Sequence, residues 1–315
     1  MRNIMRNKFF LIFLFTVLLF IFGIYYLYKN TIIIFPNFDK KTTIENVKDY
    51  GALGNGVKDD TLSIQKVIDR VSKNGGGIVE IPRGRYAINA TKSINLKSNV
   101  TLKFKPGTVL FAIPNNSENY SVINIHDVKN VSLIGEITII GEREHHKGNS
   151  GEWGFGISIR GANNVYIENP KIKDFWGDGI YVGRTNKQSY SKHITILNPV
   201  CENNRRQGIT IISAIDLDII NPQVFSTNGV PPGYGIDLEP NNKDEFLEDI
   251  NIMNPITKSN EGGGIRIYLD ALSQSRNSIN IRIINKTGIK DGFEVKGKDN
   301  AKGKIMVNSY YFLNN

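Results

Sequence analysis

The chain has 315 residues, a formal net charge of +9 and one cysteine. A single cysteine excludes an intramolecular disulfide framework and a cysteine-based metal site, and we expect Cys201 to be a packing residue. The charge is a mild basic bias. It is compatible with an anionic partner, such as an acidic polymer or an anionic envelope surface, and equally with a cationic surface that has no particular partner.

The N-terminal segment differs from the rest of the chain in composition. Arg2, Arg6 and Lys8 precede an uncharged run at 9–28, which is long enough to cross a hydrocarbon core about 30 Å thick. Positive charge on its first side keeps the N-terminus cytoplasmic. We therefore expect a cytoplasmic stub and a single-pass transmembrane signal anchor at 1–30, a linker at 31–44, and a folded domain at 45–315 outside the cell membrane. The alternative is secretion after signal cleavage.

An amphipathic helix opens the folded domain. Apolar residues recur at helical spacing between 61 and 72, which predicts one buried stripe. The stripe consists of Leu62, Ile64, Val67, Ile68 and Val71. Asp59, Asp60 or Thr61 is suited to cap the start of this helix, and the glycines at 75–77 end it. A short strand is expected to follow at 78–81.

A repeated pair, a glycine followed by an apolar residue, organises the rest of the chain. The pairs are Gly156-Ile157, Gly179-Ile180, Gly208-Ile209, Gly235-Ile236, Gly264-Ile265 and Gly292-Phe293, at steps of 23, 29, 27, 29 and 28 residues. Such periods are typical of stacked repeats, and short strands between turns predict the coils of a parallel β-helix. One asparagine per coil should then stack into a ladder at about 4.8 Å spacing. These are Asn169, Asn198, Asn221, Asn254 and Asn285.

Strand alternation sorts the side chains of the glycine–apolar strand. The apolar residue of the pair and the residue two positions later are apolar in every coil, so they point inward. The residues one and three positions later point outward. They include Tyr181, Asp237, Glu239, Arg266 and Tyr268. Longer connections at 184–190, 241–247 and 271–277, together with 142–153, are expected to wall this face into a groove.

A set of residues in the first part of the domain forms a recognisable signature. The set is Tyr50-Gly51-Ala52, Gly54-Asn55-Gly56, Asp59-Asp60-Thr61, Ile64-Gln65, Gly75-Gly76-Gly77, Val79, Pro82, Gly84 and Tyr86. It resembles the N-terminal signature of pectate-lyase-superfamily β-helix proteins of the rhamnogalacturonase and epimerase type. The resemblance implies an all-β, right-handed parallel β-helix whose helix caps the open end of the solenoid. It selects no reaction, because the group includes hydrolases, lyases, epimerases and phage tail-spike proteins.

Two narrower resemblances are incomplete. Where polygalacturonases carry a paired DD motif, this chain has Gly177-Asp178-Gly179, and it has no GHG motif. The coils are similar to those of mannuronan C5-epimerase modules, but the DPHEQ-type catalytic stretch of those modules is missing. The exact reaction is therefore not carried over from either group.

Asp237 and Glu239 are the best acid–base pair in the sequence. They lie two residues apart on one face of one strand, so their Cα atoms are about 6.6 Å apart. Carboxylates are about 6.5–9.5 Å apart in inverting glycosidases and about 5–5.5 Å in retaining ones, so the pair is compatible with hydrolysis. Asp178 is a third catalytic candidate. The structural alternatives are a surface ion ladder with Arg266 for the pair and a turn role for Asp178.

Substrate-binding candidates surround these carboxylates. Arg205, Arg206 and Gln207 lead into the neighbouring strand, and arginine is suited to bind and neutralise a uronate. The other candidates are Arg266, Tyr268, Tyr181, Trp176, Trp153 and His146. The histidines and glutamates at 142–146 have no defined ligand geometry, so no metal site is predicted. The resemblance implies no required cofactor and leaves calcium open, because polysaccharide lyases on this fold often use it.

The leading hypothesis is an exported, membrane-anchored protein that cleaves or modifies an acidic polysaccharide, as a glycoside hydrolase or a polysaccharide lyase or epimerase. The alternative is a non-catalytic polysaccharide-binding or structural surface β-helix. A walled groove that holds Asp178, Asp237 and Glu239 near one sugar favours the enzyme. An ion pair between Asp237 and Arg266 without a cleft favours the binder. Export removes the usual partner of a nucleic-acid-binding protein, so no nucleic acid is predicted.

Overall fold

Short parallel strands follow one another along the chain from Ile44 onward. The computed structural model describes residues 42–308 and 310–314. The predicted signal anchor and nearly all of the linker lie outside these residues, so the anchor stays a prediction. Within the described ranges, no helix is both long and apolar enough to cross a membrane.

Strands make up most of the described part of the chain. The strands are β1 (Ile44–Asn46), β2 (Asn55–Asp59), β3 (Gly77–Ile81), β4 (Gly84–Ile88), β5 (Ile94–Asn95), β6 (Val100–Ala112), β7 (Asn119–His126), β8 (Lys129–Ile140), β9 (Trp153–Arg160), β10 (Asn163–Glu168), β11 (Pro170–Lys173), β12 (Asp178–Gly183), β13 (Ser191–Leu197), β14 (Val200–Glu202), β15 (Gln207–Ile211), β16 (Ala214–Ile220), β17 (Gln223–Phe225), β18 (Tyr234–Leu238), β19 (Leu247–Met253), β20 (Ile256–Lys258), β21 (Gly263–Tyr268), β22 (Ser278–Ile284), β23 (Phe293–Lys296), β24 (Lys302–Val307) and β25 (Tyr310–Asn314). The α-helix is α1 (Thr61–Lys73), and short 3-10 turns span Val47–Tyr50, Arg143–His145, Asp270–Leu272, Lys286–Gly288 and Lys298–Asn300.

The described strands form two sheets, which successive coils visit in turn. Sheet B holds eight strands in the order β5-β7-β9-β12-β15-β18-β21-β23, and sheet A holds 17. Sheet A divides into two faces after β8, because β8 pairs in parallel with both β10 and β11. Coils from β10 to β21 therefore place one strand on each of three faces. The predicted all-β parallel β-helix is confirmed, and its last pairing, β24 with β25, is antiparallel.

The glycine–apolar repeat sets the register of sheet B. The apolar residues are successive Cα partners from Ile157 through Ile180, Ile209, Ile236 and Ile265 to Phe293. The five isoleucines are fully buried, and so is Cys201, which packs in the same core as predicted. Phe293, on the last coil of the sheet, is only partly buried. The repeat length read from the sequence is therefore the length of one coil.

The glycine of every pair except the last is required by the close approach of neighbouring coils; a Cβ on Gly292 would meet no atom within 4 Å. A Cβ on Gly179 would lie 2.7 Å from the carbonyl oxygen of Gly208, and a Cβ on Gly208 would lie 2.6 Å from that of Gly235. The Cβ on Gly208 would also point into the core, 2.1 Å from Val224. The apolar residue after the glycine points inward as well, so two consecutive positions face the core. Strict alternation is interrupted there, and the residue before the glycine points outward.

The asparagine ladder is confirmed. Each asparagine donates a side-chain hydrogen bond to the one on the previous coil, at 2.9, 2.9, 2.9 and 3.1 Å from Asn198 to Asn285. All five have a left-handed backbone, with φ between 51° and 58°, a conformation that costs most L-residues about 1–2 kcal/mol. Asparagine tolerates it better than other residues, so the same side chain makes the turn and links the coils.

The predicted helix is present as α1, and it packs on β1, β3, β5 and β6. Ile64, Val67, Ile68 and Val71 are buried, as predicted. The inclusion of Leu62 in the stripe was wrong: it is 64% exposed, because it lies two residues before Ile64, about 200° around the helix. Asp60 is the N-cap residue but makes no capping bond. Its carboxylate instead accepts hydrogen bonds from the backbone N–H groups of Leu53 and Gly54, at 2.7 and 2.9 Å.

We predict that Gly208→Ala destabilises the fold by about 3 kcal/mol or more, because the new methyl group overpacks both backbone and core. Gly56→Ala is the matched control: it meets no atom closer than 3.6 Å and has a φ of +79°, so it should cost only about 1 kcal/mol of backbone strain. Urea unfolding of both variants measures the difference. Equal losses for the two variants would remove close coil packing as the reason for the repeat.

Candidate functional site

The site lies on the outer face of sheet B, across β12, β15, β18 and β21. Asp178 and Gln207 are paired residues that immediately precede a repeat glycine, and the interrupted alternation turns both outward. Asp237 and Arg266 are Cα partners one position after the apolar residue. Glu239 immediately follows β18. Successive coils thus stack five polar side chains on one patch of the sheet.

Two arginines hold three carboxylates together in this patch. Arg206 Nη1 lies 3.1 Å from Asp178 Oδ2, and its Nη2 lies 2.5 Å from Glu239 Oε1. Arg266 binds Asp237 through both of its oxygens, at 2.9 and 2.5 Å. Arg266 Nη2 also lies 3.0 Å from Glu239 Oε2. Glu239 therefore bridges the two arginines and joins the residues into one network.

Neutral side chains complete the network. Thr210 Oγ1 donates to Asp178 Oδ2 at 2.7 Å, and Gln207 Nε2 donates to Glu239 Oε1 at 2.8 Å. Arg206 Nε is buried with no hydrogen-bond partner among the described residues; Glu152 Oε1 is 3.7 Å away. This donor is the one part of the arginine that the cluster leaves unused.

The charges of the cluster do not balance. Three carboxylates of the cluster face two guanidinium groups, and Glu152, 32% exposed and 3.7 Å from Arg206 Nε, is a fourth at the edge. Full ionisation therefore leaves at least one negative charge uncompensated in a buried setting, which is costly. Burial raises the pKa of Asp178 to about 6, although Arg206 and Thr210 oppose the shift. Burial raises the pKa of Asp237 as well, against the hydrogen bonds from Arg266. Asp178 Oδ1 is the least engaged oxygen, with one contact at 3.4 Å to Arg206, so we place the extra proton on Asp178 below about pH 6.

A cleft of about 350 Å³ opens beside the cluster. Its lining includes Trp153, Arg160, Tyr181, Arg206 and Glu239. The side chains of Asp178 and Asp237 have no exposed area, whereas that of Glu239 is 14% exposed. The structure thus has both a cleft and the ion pair between Asp237 and Arg266. Glu239 is the carboxylate of the cluster that faces the cleft.

The connections that were predicted to wall the groove are tied to one another. Trp153 and Asn241, from the segments 142–153 and 241–247, line the cleft. Arg184 Nε lies 3.1 Å from Glu245 Oε1, and Asn277 Nδ2 donates to the carbonyl of Glu245 at 3.2 Å. Glu245 therefore fastens the loops 184–190 and 271–277 to the loop between them.

Three predicted binding residues lie in a separate stack beside the cluster. The guanidinium carbon of Arg205 lies 3.6 Å from the centroid of the Trp176 ring, and the ring of His146 stacks on Trp176 with 4.1 Å between centroids. The side chain of His146 is fully buried, with Nδ1 3.0 Å from Glu142 Oε1. Arg205 donates to the backbone carbonyls of Gly151 and Trp176. These side chains fix the segment 142–153 and do not contact the carboxylate cluster.

The remaining predicted residues flank the site. Tyr268 and Tyr234 lie on either side of Arg266, whose guanidinium carbon is 5.0 and 4.9 Å from their ring centroids. Tyr181 lies under Arg160 at 4.1 Å. Of these, Arg160 was not among the predicted catalytic or binding residues. The signal for Arg160 was available, because it stands three positions after Ile157, the same outward position that Glu239 takes in its own coil.

The oxygens of the cluster do not fit a calcium site. Each of the three carboxylates is bound by an arginine nitrogen rather than facing the others across an open position. Among the described residues, no group of three or more His, Cys, Asp or Glu side chains is placed to hold a metal ion. No step in the chemistry below is assigned to a metal.

Comparisons with known proteins agree with this architecture. The model of the rhamnogalacturonase A/epimerase, pectate lyase-like family matches residues 44–214, a range that ends before Asp237 and Glu239. The uncharacterized protein YclG of Bacillus subtilis is 32% identical over 222 residues, covering 62% of this chain and 38% of YclG. The mannuronan C5-epimerase AlgE5 of Azotobacter vinelandii is 26% identical over 235 residues, covering 70% of this chain and 22% of the epimerase. The chain thus spans well under half the length of either relative.

A solved structure shows the same fold. The iota-carrageenase from A. fortis superposes with a TM-score of 0.57 at 18% identity, over 79% of this chain and 56% of the carrageenase. At this identity the likeness concerns the fold alone. The arrangement of the polar side chains has to be interpreted from this chain's own geometry.

The raised pKa of Asp178 predicts a pH dependence of stability. Its folded pKa of about 6 exceeds the ordinary 3.8, so the folded protein binds this proton more tightly than the unfolded chain does. The resulting stabilisation, on the order of 3 kcal/mol, is present below about pH 4 and is lost as the pH rises to about 6. Urea unfolding across this range should show that Asp178→Asn removes this component. Asp244→Asn, a change at an exposed carboxylate, should keep the wild-type profile, and identical profiles for all three proteins would contradict the assignment.

Proposed function

Because the chain belongs to the rhamnogalacturonase A/epimerase, pectate lyase-like family, we propose that it acts on an acidic polysaccharide by removing the C5 proton of a uronate residue, as a lyase or an epimerase. The observation that carries this proposal is the position of Glu239. It is the carboxylate of the cluster that reaches the cleft, and it lies between two arginines. Proton abstraction next to a carboxylate needs one base and nearby positive charge, which this arrangement provides.

The cleft is suited to an anionic sugar chain. Arg160 and Arg206 both line it, and within the described residues Arg160 has no carboxylate at ion-pair distance. Its guanidinium is held by the Tyr181 ring and by Ser158 Oγ, to which Arg160 Nε donates at 3.0 Å. Trp153, which is 44% exposed, offers an aromatic face for a sugar ring. The mannuronan epimerase among the sequence relatives supports this choice of substrate class.

The proposed step begins with an exchange of ion-pair partners. The substrate carboxylate binds the part of Arg206 that lines the cleft and competes with Glu239 for the guanidinium. Glu239 Oε1, which accepts hydrogen bonds from Arg206 and Gln207, then has a lone pair free to accept a proton. It then takes the C5 proton, and the electron pair of the C5–H bond delocalises onto the substrate carboxylate, which the arginines neutralise.

Tyr181 is the proposed proton donor. Burial raises the pKa of this hydroxyl, although Arg160 opposes the shift, so the group keeps its proton at neutral pH. If a proton returns to the opposite face of C5, the product is the epimer. If instead the C4–O bond breaks and the leaving oxygen takes the proton, the products are a new chain end and an unsaturated uronate. Both outcomes balance without a further reactant.

Hydrolysis is the second candidate reaction. Asp237 Oδ2 and Glu239 Oε2 both contact Arg266 Nη2, at 2.5 and 3.0 Å, so the two oxygens are no farther apart than the sum of these distances. That limit is compatible with the spacing of about 5–5.5 Å in retaining glycosidases. The burial of Asp237 makes this candidate the weaker one, since hydrolysis needs both carboxylates at the scissile bond.

Export and membrane anchoring by the segment 1–30 are part of the proposal, with secretion after cleavage as the alternative. Both rest on the charge pattern of the sequence. A non-catalytic glycan-binding protein is the remaining alternative, and it is an outcome of the test that follows.

We predict that the protein converts polygalacturonate or alginate, both of which are uronate polymers, and that Glu239→Gln lowers the rate by at least about 100-fold, the usual range for loss of a general base. Reactions run in D₂O distinguish the mechanisms. Ultraviolet-absorbing unsaturated product indicates a lyase, and deuterium at C5 without cleavage indicates an epimerase.

Glu248→Gln is the matched control, because Glu248 is an exposed carboxylate on β19 of sheet A, and it should leave the rate unchanged. New reducing ends without unsaturation or deuterium at C5 would replace the proposed step with hydrolysis. Unchanged polymers that still retard the protein in a gel would leave only a binding function.

A further inference from the structure

A second pocket lies next to the cleft, where the chain leaves sheet B and turns into sheet A. Its volume is about 460 Å³, and we name it the lysine pocket after Lys129 and Lys192. Its lining also includes Asp127, Gly161, Asn163 and Tyr190. The pocket is formed by the ends of β7 and β9, the starts of β8, β10 and β13, and the loop 184–190.

The two lysines belong to a ladder across three coils. Asn163 is the Cα partner of Lys129 on one side and of Lys192 on the other. Coils are about 4.8 Å apart, so the two lysine Cα atoms are about 10 Å apart. Within the described residues, neither ammonium group has a carboxylate at ion-pair distance. Two uncompensated cations with an amide between them are suited to a chain that carries negative charge at intervals.

The rest of the pocket is pre-formed. The carboxylate that lines it, Asp127, accepts a hydrogen bond from Thr185 Oγ1 at 2.6 Å. The backbone N–H of Thr185 donates to the carbonyl of Gln188 at 3.0 Å. The ring of Tyr190 meets the edge of Phe246 with 5.0 Å between centroids. The loop wall is thus fastened on both sides. The hydroxyl does not neutralise Asp127, so this carboxylate and the two lysines give the pocket lining a net charge of +1.

The lysine pocket is continuous with the cleft along the chain. Gly161 lines the pocket, and its neighbour Arg160 lines the cleft. Positive side chains therefore extend from the outer face of sheet B around its edge, and they belong to Arg160, Lys129 and Lys192.

We propose that the lysine pocket is a secondary binding site for an anionic polysaccharide, which holds the part of the chain that extends beyond the cleft. This inference rests on the proposed function, since it assigns the same substrate a second point of attachment. Amide and hydroxyl groups in the pocket can bond sugar hydroxyls. The concave shape excludes a flat lipid bilayer, and Tyr190, packed against Phe246, is not free to stack with a nucleic-acid base.

The test is gel retardation of the full chain by polygalacturonate, alginate and iota-carrageenan, with Lys129→Ala/Lys192→Ala. We expect the dissociation constant for at least one polymer to rise about 10-fold, the equivalent of about 1.4 kcal/mol. The control is Lys258→Ala/Lys302→Ala, which removes the same charge from two exposed lysines of sheet A and should change retardation little. Thermal unfolding of both double variants checks that they remain folded.

Kinetics separate this site from the cleft. The lysine-pocket variant should raise KM for the polymer while kcat, and the rate on short oligosaccharides, stay unchanged. Equal weakening by the control pair, or unchanged affinity for every polymer, would overturn the inference and leave the proposed reaction standing. Retardation by a DNA oligonucleotide with the same dependence on the two lysines would overturn it too. Weakened retardation in a protein that converts no polymer would support the site and refute the reaction.

Discussion

The fold depends on a single close contact, that between the repeat glycine of one coil and the backbone of the next. The contact leaves no room for a Cβ, and it turns two consecutive residues toward the core. The regular inward–outward alternation of side chains along the strand is interrupted there, so the residue before the glycine lies on the outer face. Asp178 and Gln207 reach the site for this reason. The same constraint that stacks the coils therefore also supplies two members of the polar cluster.

Burying the charged cluster costs free energy, and this cost favours a functional role for the cluster. Burying three carboxylates and two guanidinium groups costs free energy that their attraction offsets only with good geometry. A structural role alone would be served as well by apolar side chains of similar size. The cluster keeps one excess negative charge, one buried donor without a partner among the described residues and one carboxylate at the cleft. Such unbalanced groups are typical of sites that bind or react with a charged ligand.

Much of the fold could be predicted because the sequence repeats with a nearly constant period. Repeat length, inward isoleucines and the asparagine ladder follow from local rules, and all three are confirmed. The carboxylate pair and Arg266 could be assigned to one face by alternation. The burial of Asp237 could not be predicted from the sequence, since it depends on side chains from other coils. Nor could the separation of Arg205 from Arg206, which are adjacent in sequence but bind Trp176 and Asp178 respectively. Alternation also places Arg160 on the outer face, but its lack of an acidic partner among the described residues cannot be read from spacing.

The most direct test of the central claim, that the buried cluster takes up a proton on Asp178 as the pH falls through about 6, is a carbon-13 NMR titration of the aspartate and glutamate carboxyl groups. The Asp178 resonance is assigned by its loss in Asp178→Asn. The charge imbalance predicts that this carboxyl titrates near pH 6, in line with its raised pKa of about 6. Titration of the Asp178 carboxyl near pH 4, the ordinary value for an aspartate, would contradict it.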